Sequence, residues 1–321
     1  MNENMQIVIL DGNGVNPGDV SWDALKSFGT LSIYDRTDEN MVEQRLRGAQ
    51  IVLTNKVGLS RERLQGFAAL RLQLVGVLAT GYEVVDTLAA REAGITVCNV
   101  PAYSTESVAQ LTLALLMELS FRVGVHNALV HQGAWTASPD FCFWAQAPEE
   151  LFGKTLGILG CGRIGSRVAQ LGAAFGMRVI GCSRTPKPEF PGKFVDFDTL
   201  LRESDVLSLH CPATPETVGV INRDTLARMK TGARLLNTAR GSLLAEQDVA
   251  DALNVGKLAG AGVDVVNKEP ISRGNPLLSA KNCVITGHYG WAPKSARQRL
   301  IDITVENIRL FLAGKPQNVV N

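Results

Sequence analysis

Short apolar, β-branched runs alternate with amphipathic stretches along almost the whole chain, and few folds accept that pattern. In the first hundred residues the strand candidates are QIVIL (6–10), LSIYD (31–35), QIVLTN (50–55), LQLVGVLAT (72–80) and ITVCNV (95–100). Helical patterns such as VSWDALKSFG and MVEQRLRG lie between them. This alternation predicts a parallel sheet covered by helices. A second series begins at KTLGILG (154–160) and runs through RVIGCS (178–183), DVLSLHC (205–211), ARLLNTA (233–239), LAGAGVDV (258–265) and NCVITGH (282–288). The expected fold is α/β, with two doubly wound parallel sheets, the second the larger, and a ligand in the cleft between them. A chain of 321 residues is long enough for two such cores.

Between the two series, VPAYSTESVAQ marks a boundary and opens a long helix. Its run SVAQLTLALLMELSF (107–121) is too short for a bilayer and carries Gln110 and Glu118, so it reads as a buried helix. Residues 132–150, QGAWTASPDFCFWAQAPEE, hold two Trp and two Phe without a period. They read either as a partner-subunit contact or as a satellite core cluster. SARQRLIDITVENIRLFLAG (295–314) reads as one amphipathic helix.

Charge excludes some functions. The 32 basic residues against 31 acidic give +1, and nucleic-acid or membrane-surface binders need a strong basic excess. The six cysteines have no CxxC pairing, which points to buried thiols in a reducing compartment and to no structural metal. MNENMQIVIL lacks a basic segment followed by a long apolar one, so it does not read as a secretory signal, and a cytoplasmic protein is expected.

Gly160, Gly162 and Gly165 form G-x-G-x-x-G immediately after the strand TLGIL and open the helix RIGSRVAQLGAAFG. That context gives the motif its meaning: a tight turn at the first glycine, close backbone approach to a pyrophosphate at the second, helix–strand packing at the third. The helix start adds unpaired N–H groups for the phosphates. The following strand ends in CSRTPK, with Ser183 where a dinucleotide pocket usually has a carboxylate for the ribose 2′-hydroxyl. A hydroxyl followed by Arg184, with Lys187 nearby, instead suits a 2′-phosphate, and so NADP over NAD.

Arg240 in LLNTARGS, Asp264 and Glu269 in VDVVNKEP, and His288 in VITGHYGW all follow strand candidates of one sheet, the edge where such sheets bind ligands. Beside a nicotinamide pocket they suit hydride transfer to a 2-keto acid. These motifs, with LHCPATPET (209–217) and LATGYEVVD (78–86), resemble the NAD(P)-dependent D-2-hydroxyacid dehydrogenase family across essentially the whole chain. Within it the chain is most similar to the glycerate dehydrogenases, also called hydroxypyruvate reductases.

The resemblance implies a role for each residue. His288 would be the general acid/base, Glu269 its partner, and Arg240 the holder of the substrate carboxylate and polariser of the carbonyl. Amides at Thr80 and Gly81 would grip the carboxylate's other side. Asp264 would receive the nicotinamide carboxamide, with Thr238 and Ala239 lining the ring. Arg163 and Ile164 would cap the pyrophosphate, and Cys211, Pro212 and Thr217 would border the ribose. The resemblance also implies a substrate domain of residues 1–100 plus 291–321, a cofactor domain of 101–290, hinges near 100 and 290, and a homodimer built on the long helix and aromatic segment. Three positions depart from the family's pattern: Ser183, Gln110 and Tyr289. Phosphoglycerate or a larger apolar acid as substrate, and a nicotinamide-sensing regulator without turnover, stay open as alternatives.

Overall fold

The computed structural model describes residues 5–68 and 71–321. The first four residues of the N-terminal stretch read above therefore lie outside the described residues. Twelve strands are assigned among these residues: β1 (Gln6–Ile9), β2 (Thr30–Ile33), β3 (Ile51–Thr54), β4 (Leu74–Val77), β5 (Thr96–Cys98), β6 (Thr155–Leu159), β7 (Arg178–Cys182), β8 (Lys193–Phe194), β9 (Val206–Leu209), β10 (Ala233–Asn237), β11 (Leu258–Val263) and β12 (Cys283–Ile285). They form a five-stranded sheet in the order β2-β1-β3-β4-β5 and a seven-stranded sheet in the order β12-β11-β10-β9-β6-β7-β8. Every pairing is parallel. This is the α/β architecture expected from the sequence.

The strand sequences explain the layering. β3, β4, β6, β9 and β10 are buried at every position, as strands covered on both faces must be. Each sheet accordingly carries an apolar cluster on either side. In the smaller sheet, one cluster gathers Ile7, Ile9, Leu53 and Leu74, the other Val8, Val52, Val75 and Val97. The pleat sends neighbours in one strand to opposite clusters.

The chain divides into two compact units, Met1–Ser104 with Trp291–Asn321, and Thr105–Gly290. The first unit's leading segment ends at Ser104, and Tyr103 beside it is buried in that unit's core. The tail helix Lys294–Leu312 belongs to the same unit. Its Ala296, Leu300, Ile301 and Ile308 enter that core. Arg297, also buried, holds Asp19 with both guanidinium ends, at 2.6 and 2.7 Å.

In the second unit the long helix is Thr105–Phe121, with nine buried residues. No single helix among the described residues is long and apolar enough to cross a membrane. Strand order around β6 matters for function. The chain leaves β6 for β7 and β8 on one side, then returns to β9 and continues outward on the other. The carboxyl end of β6 is thus the point where the winding reverses, the place where open α/β sheets bind ligands.

Candidate active site

The turn after β6 shows what each glycine does. Gly160 has φ +95°, and a Cβ there would stand 2.5 Å from the Cys211 amide nitrogen. A Cβ on Gly165 would collide with the Gly160 carbonyl oxygen. One on Gly162 would meet no protein atom within 4 Å. Gly162 caps the helix Arg163–Ala174 without a side-chain hydrogen bond. An open glycine before an uncapped helix start presents backbone N–H groups to an anion, so the turn fits a pyrophosphate.

Beyond β7, Ser183 is half-buried and Arg184 exposed. Ser183 lines a cavity of about 420 Å³ with Pro186, Lys193, Phe194, Val195, Asp196 and Thr199. Lys193 and Asp196 were not singled out from the sequence. Lys193 sits on β8, a strand of two residues too short to show any period. The Asp196 carboxylate is directed to the Thr199 amide (2.7 Å) and hydroxyl (2.9 Å), where it caps the next helix.

Cys211 is buried, and burial pushes its thiol up to about 11. Thr217 braces the exposed segment after it, its hydroxyl donating to the Pro212 carbonyl at 2.7 Å and accepting from the Thr214 amide at 2.7 Å. Thr238 shares a 2.9 Å hydroxyl–hydroxyl bond with Thr112 of the long helix, and the Ala239 amide donates to the Asn237 side chain at 3.1 Å.

The remaining residues of this unit gather at the carboxyl ends of β10, β11 and β12. His288 Nδ1 lies 2.7 Å from Glu269 Oε2, and both side chains are about one-third exposed, at 29% and 34%. With a carboxylate beside Nδ1, the proton on that nitrogen points to Glu269. Half-buried Arg240 follows β10; its Nη1 donates to the Ala239 carbonyl at 2.8 Å, and the Asn237 side chain holds the Arg240 carbonyl at 2.9 Å. Asp264 is 3% exposed, and its two oxygens accept from Thr286 Oγ1, Tyr289 N and Gly290 N. The sequence reading carried the strand to His288. In the structure β12 ends at Ile285; the Thr286 amide still donates to the Val263 carbonyl at 2.9 Å, and the Tyr289 and Gly290 amides turn to Asp264.

Thr80 and Gly81 lie in the other unit, after β4. The Thr80 hydroxyl donates to the Val100 carbonyl at 3.0 Å, and Asn99 holds the Thr80 carbonyl at 2.8 Å. Among the described residues no group of three or more His, Cys, Asp or Glu is placed to hold a metal ion.

The family model for the D-isomer specific 2-hydroxyacid dehydrogenase NAD-binding domain matches residues 113–290, more than half of the chain. The chain belongs to that dehydrogenase family. A hydroxypyruvate reductase of Blautia hydrogenotrophica is 49% identical over 99% of this chain and 100% of its own length. Two solved structures share the fold. An acyclic imino acid reductase in complex with NADPH and D-Arg superposes with a TM-score of 0.88 at 28% identity, and covers 99% of this chain and 100% of its own. A D-isomer specific 2-hydroxyacid dehydrogenase from Lactobacillus delbrueckii ssp. bulgaricus, in its NAD-complexed form, gives 0.80 at 25% identity with the same coverage. This dehydrogenase is therefore a nicotinamide-dependent oxidoreductase of small 2-keto and D-2-hydroxy acids, and Thr105–Gly290 contains its dinucleotide-binding sheet.

Proposed function

We propose that this dehydrogenase reduces hydroxypyruvate and glyoxylate to the corresponding 2-hydroxy acids and takes NADPH in preference to NADH. The observation that carries the reading is the 2.7 Å bond between His288 and Glu269, at the carboxyl edge of the sheet that bears the glycine turn. When bound, the nicotinamide supplies the hydride. Glu269 engages Nδ1, so Nε2 is the nitrogen that gives a proton to the keto oxygen, and the adjacent negative charge stabilises the imidazolium before transfer. In oxidation the neutral ring takes that proton back. Arg240 binds the substrate carboxylate with its planar fork and polarises the carbonyl. Thr80 and Gly81 bind substrate through their backbone amides.

On the cofactor side, Arg163 and Ile164 offer amides to the pyrophosphate. Cys211, Pro212 and Thr217 border the ribose. Thr238, Ala239 and one oxygen of Asp264 face the nicotinamide. The cofactor contacts, Arg240 and His288 belong to Thr105–Gly290; Thr80 and Gly81 belong to Met1–Ser104 with Trp291–Asn321. The relative's name and its 49% identity support the small hydroxylated substrate. The NADPH preference rests on Ser183, a neutral hydroxyl beside Arg184 and a cavity lined by Lys193, whose donors suit a 2′-phosphate, while the Asp196 carboxylate on the same lining is engaged by Thr199.

We also infer a homodimer in the cytoplasm. Phe121, Val123, Val125, Trp135, Phe141 and Trp144 are exposed on consecutive segments, and an apolar face of that kind suits a second copy. The six cysteines are free thiols, as a reducing compartment keeps them.

The test is a panel of glyoxylate, hydroxypyruvate, pyruvate and phenylpyruvate, each with NADPH and NADH. The highest kcat/KM is expected with hydroxypyruvate or glyoxylate and NADPH. Ser183→Asp should cut the NADPH value by about tenfold or more, since repelling the 2′-phosphate need cost only about 1.4 kcal/mol to do so. A wild-type preference for NADH or for phenylpyruvate contradicts the proposal.

A further inference from the structure

Asp264 serves the active-site loop more than a single cofactor contact requires. It stands just past β11, and its Oδ1 accepts from Thr286 Oγ1 at 2.6 Å and from the Tyr289 amide at 3.1 Å. Oδ2 accepts from the Gly290 amide at 2.9 Å. A carboxylate has about four lone-pair positions, so three of them are used by this chain itself. Those donors bracket His288: one residue pair before it, one immediately after, one two places after. His288 itself has φ +54°, in the left-handed region that is uncommon for a residue with a Cβ. Gly290 belongs to the same device, because a Cβ there would stand 3.1 Å from Asp264 Oδ2, in the path of the amide.

We propose that Asp264 is a positioning residue that clamps Thr286–Gly290 and so fixes the imidazole of His288 against Glu269. The clamp acts independently of any contact with the nicotinamide. Released from it, His288 relaxes toward extended backbone, and a ring carried on that backbone leaves its 2.7 Å contact with Glu269. An error of about 1 Å in the placement of an acid/base group costs on the order of 100-fold in rate. Glycine at 290, a hydroxyl at 286 and a buried carboxylate at 264 thus do one job, although they are 22 to 26 positions apart.

The proposal rests on His288 as the acid/base, so wild-type turnover of hydroxypyruvate with NADPH is measured first; its absence defeats that reading and leaves no positioning role to fill. With turnover established, Asp264→Asn, Thr286→Val and Thr286→Ser are compared for kcat, NADPH dissociation constant and melting temperature. Asp264→Asn sets an amide N–H against amide N–H donors and is expected to lower kcat by about 100-fold. Its NADPH dissociation constant should rise far less than kcat falls, because the pyrophosphate cradle is untouched. Thr286→Val removes one leg of the clamp and should lose about tenfold, with Thr286→Ser recovering most of it. Loss of folded protein alone would lower NADPH-binding capacity along with kcat, whereas a displaced imidazole lowers kcat alone. Retained kcat in Asp264→Asn, a loss matched by equally weakened NADPH binding, or a Thr286→Ser variant as impaired as Thr286→Val overturns the proposal. If melting shows Asp264→Asn to be unfolded, the Thr286→Val and Thr286→Ser pair decides it on the same criteria.

Discussion

His210 and His288 are both imidazoles at the ends of strands, with opposite surroundings. His288 faces a carboxylate; His210 has the Ser208 hydroxyl at 2.8 Å, and burial pushes its pKa down to about 3. The consequence for stability has a definite sign. An unfolded chain protonates this histidine below its ordinary value of about 6.5, while the folded state does not, so stability is complete above that pH and is lost as pH falls toward 3. The slope reaches about 1.4 kcal/mol per pH unit for one proton. Glu149 and Asp205 work in a lower window. Burial opposes their ionisation, yet Arg234 and Lys154 hold Glu149 below its usual value and Lys230 does the same for Asp205. Between pH 6.5 and 5, therefore, His210 dominates among these groups. Melting curves at pH 7 and pH 5 should show a larger fall for wild type than for His210→Asn; equal falls contradict the burial argument. The placement of Arg240, Glu269 and His288 beyond the ends of strands was legible in the sequence, because position alone carries that signal. The grip of Asp264 on Thr286 and Gly290 was not, because a hydrogen bond across 22 or 26 positions leaves no local pattern.

Elements were readable in proportion to how completely they are buried. β3, β6 and β9 are continuous apolar runs because helices cover both faces, and such runs stand out from the amphipathic stretches between them. β8 has only two residues at the sheet edge, and β12 has only three, the Tyr289 amide beyond it turning to the Asp264 side chain. The segment 132–150 lacks a period for another reason. It forms no strand, and Trp135, Phe141 and Trp144 are 51%, 90% and 62% exposed, so they build no satellite core within the chain. If a second copy covers this face, sedimentation should give about 69 kDa, twice the 34.5 kDa chain. Trp135→Ser with Phe141→Ser and Trp144→Ser should shift that toward the single-chain mass. A wild-type protein sedimenting as one chain contradicts the inferred dimer.

At the scale of the molecule, the chain assembles each sheet from a central strand outward and returns at the end to finish the first unit. The tail helix supplies part of that unit's core, and Arg297 fixes it to Asp19, 278 positions earlier. Alternating strands and helices made two sheets legible, but no sequence pattern records which sheet a terminal helix will join. The other unit, Thr105–Gly290, holds the glycine turn, Arg240, Glu269 and His288 together. The central claim is that His288 exchanges a proton with the substrate while the glycine turn separately binds the dinucleotide. The most direct measurement pairs the steady-state rate of NADPH-dependent hydroxypyruvate reduction with NADPH affinity in His288→Gln and wild type. The account predicts a rate lowered by about 10²- to 10⁴-fold with affinity retained. A variant that turns over near the wild-type rate, or one that loses NADPH binding along with turnover, would contradict it.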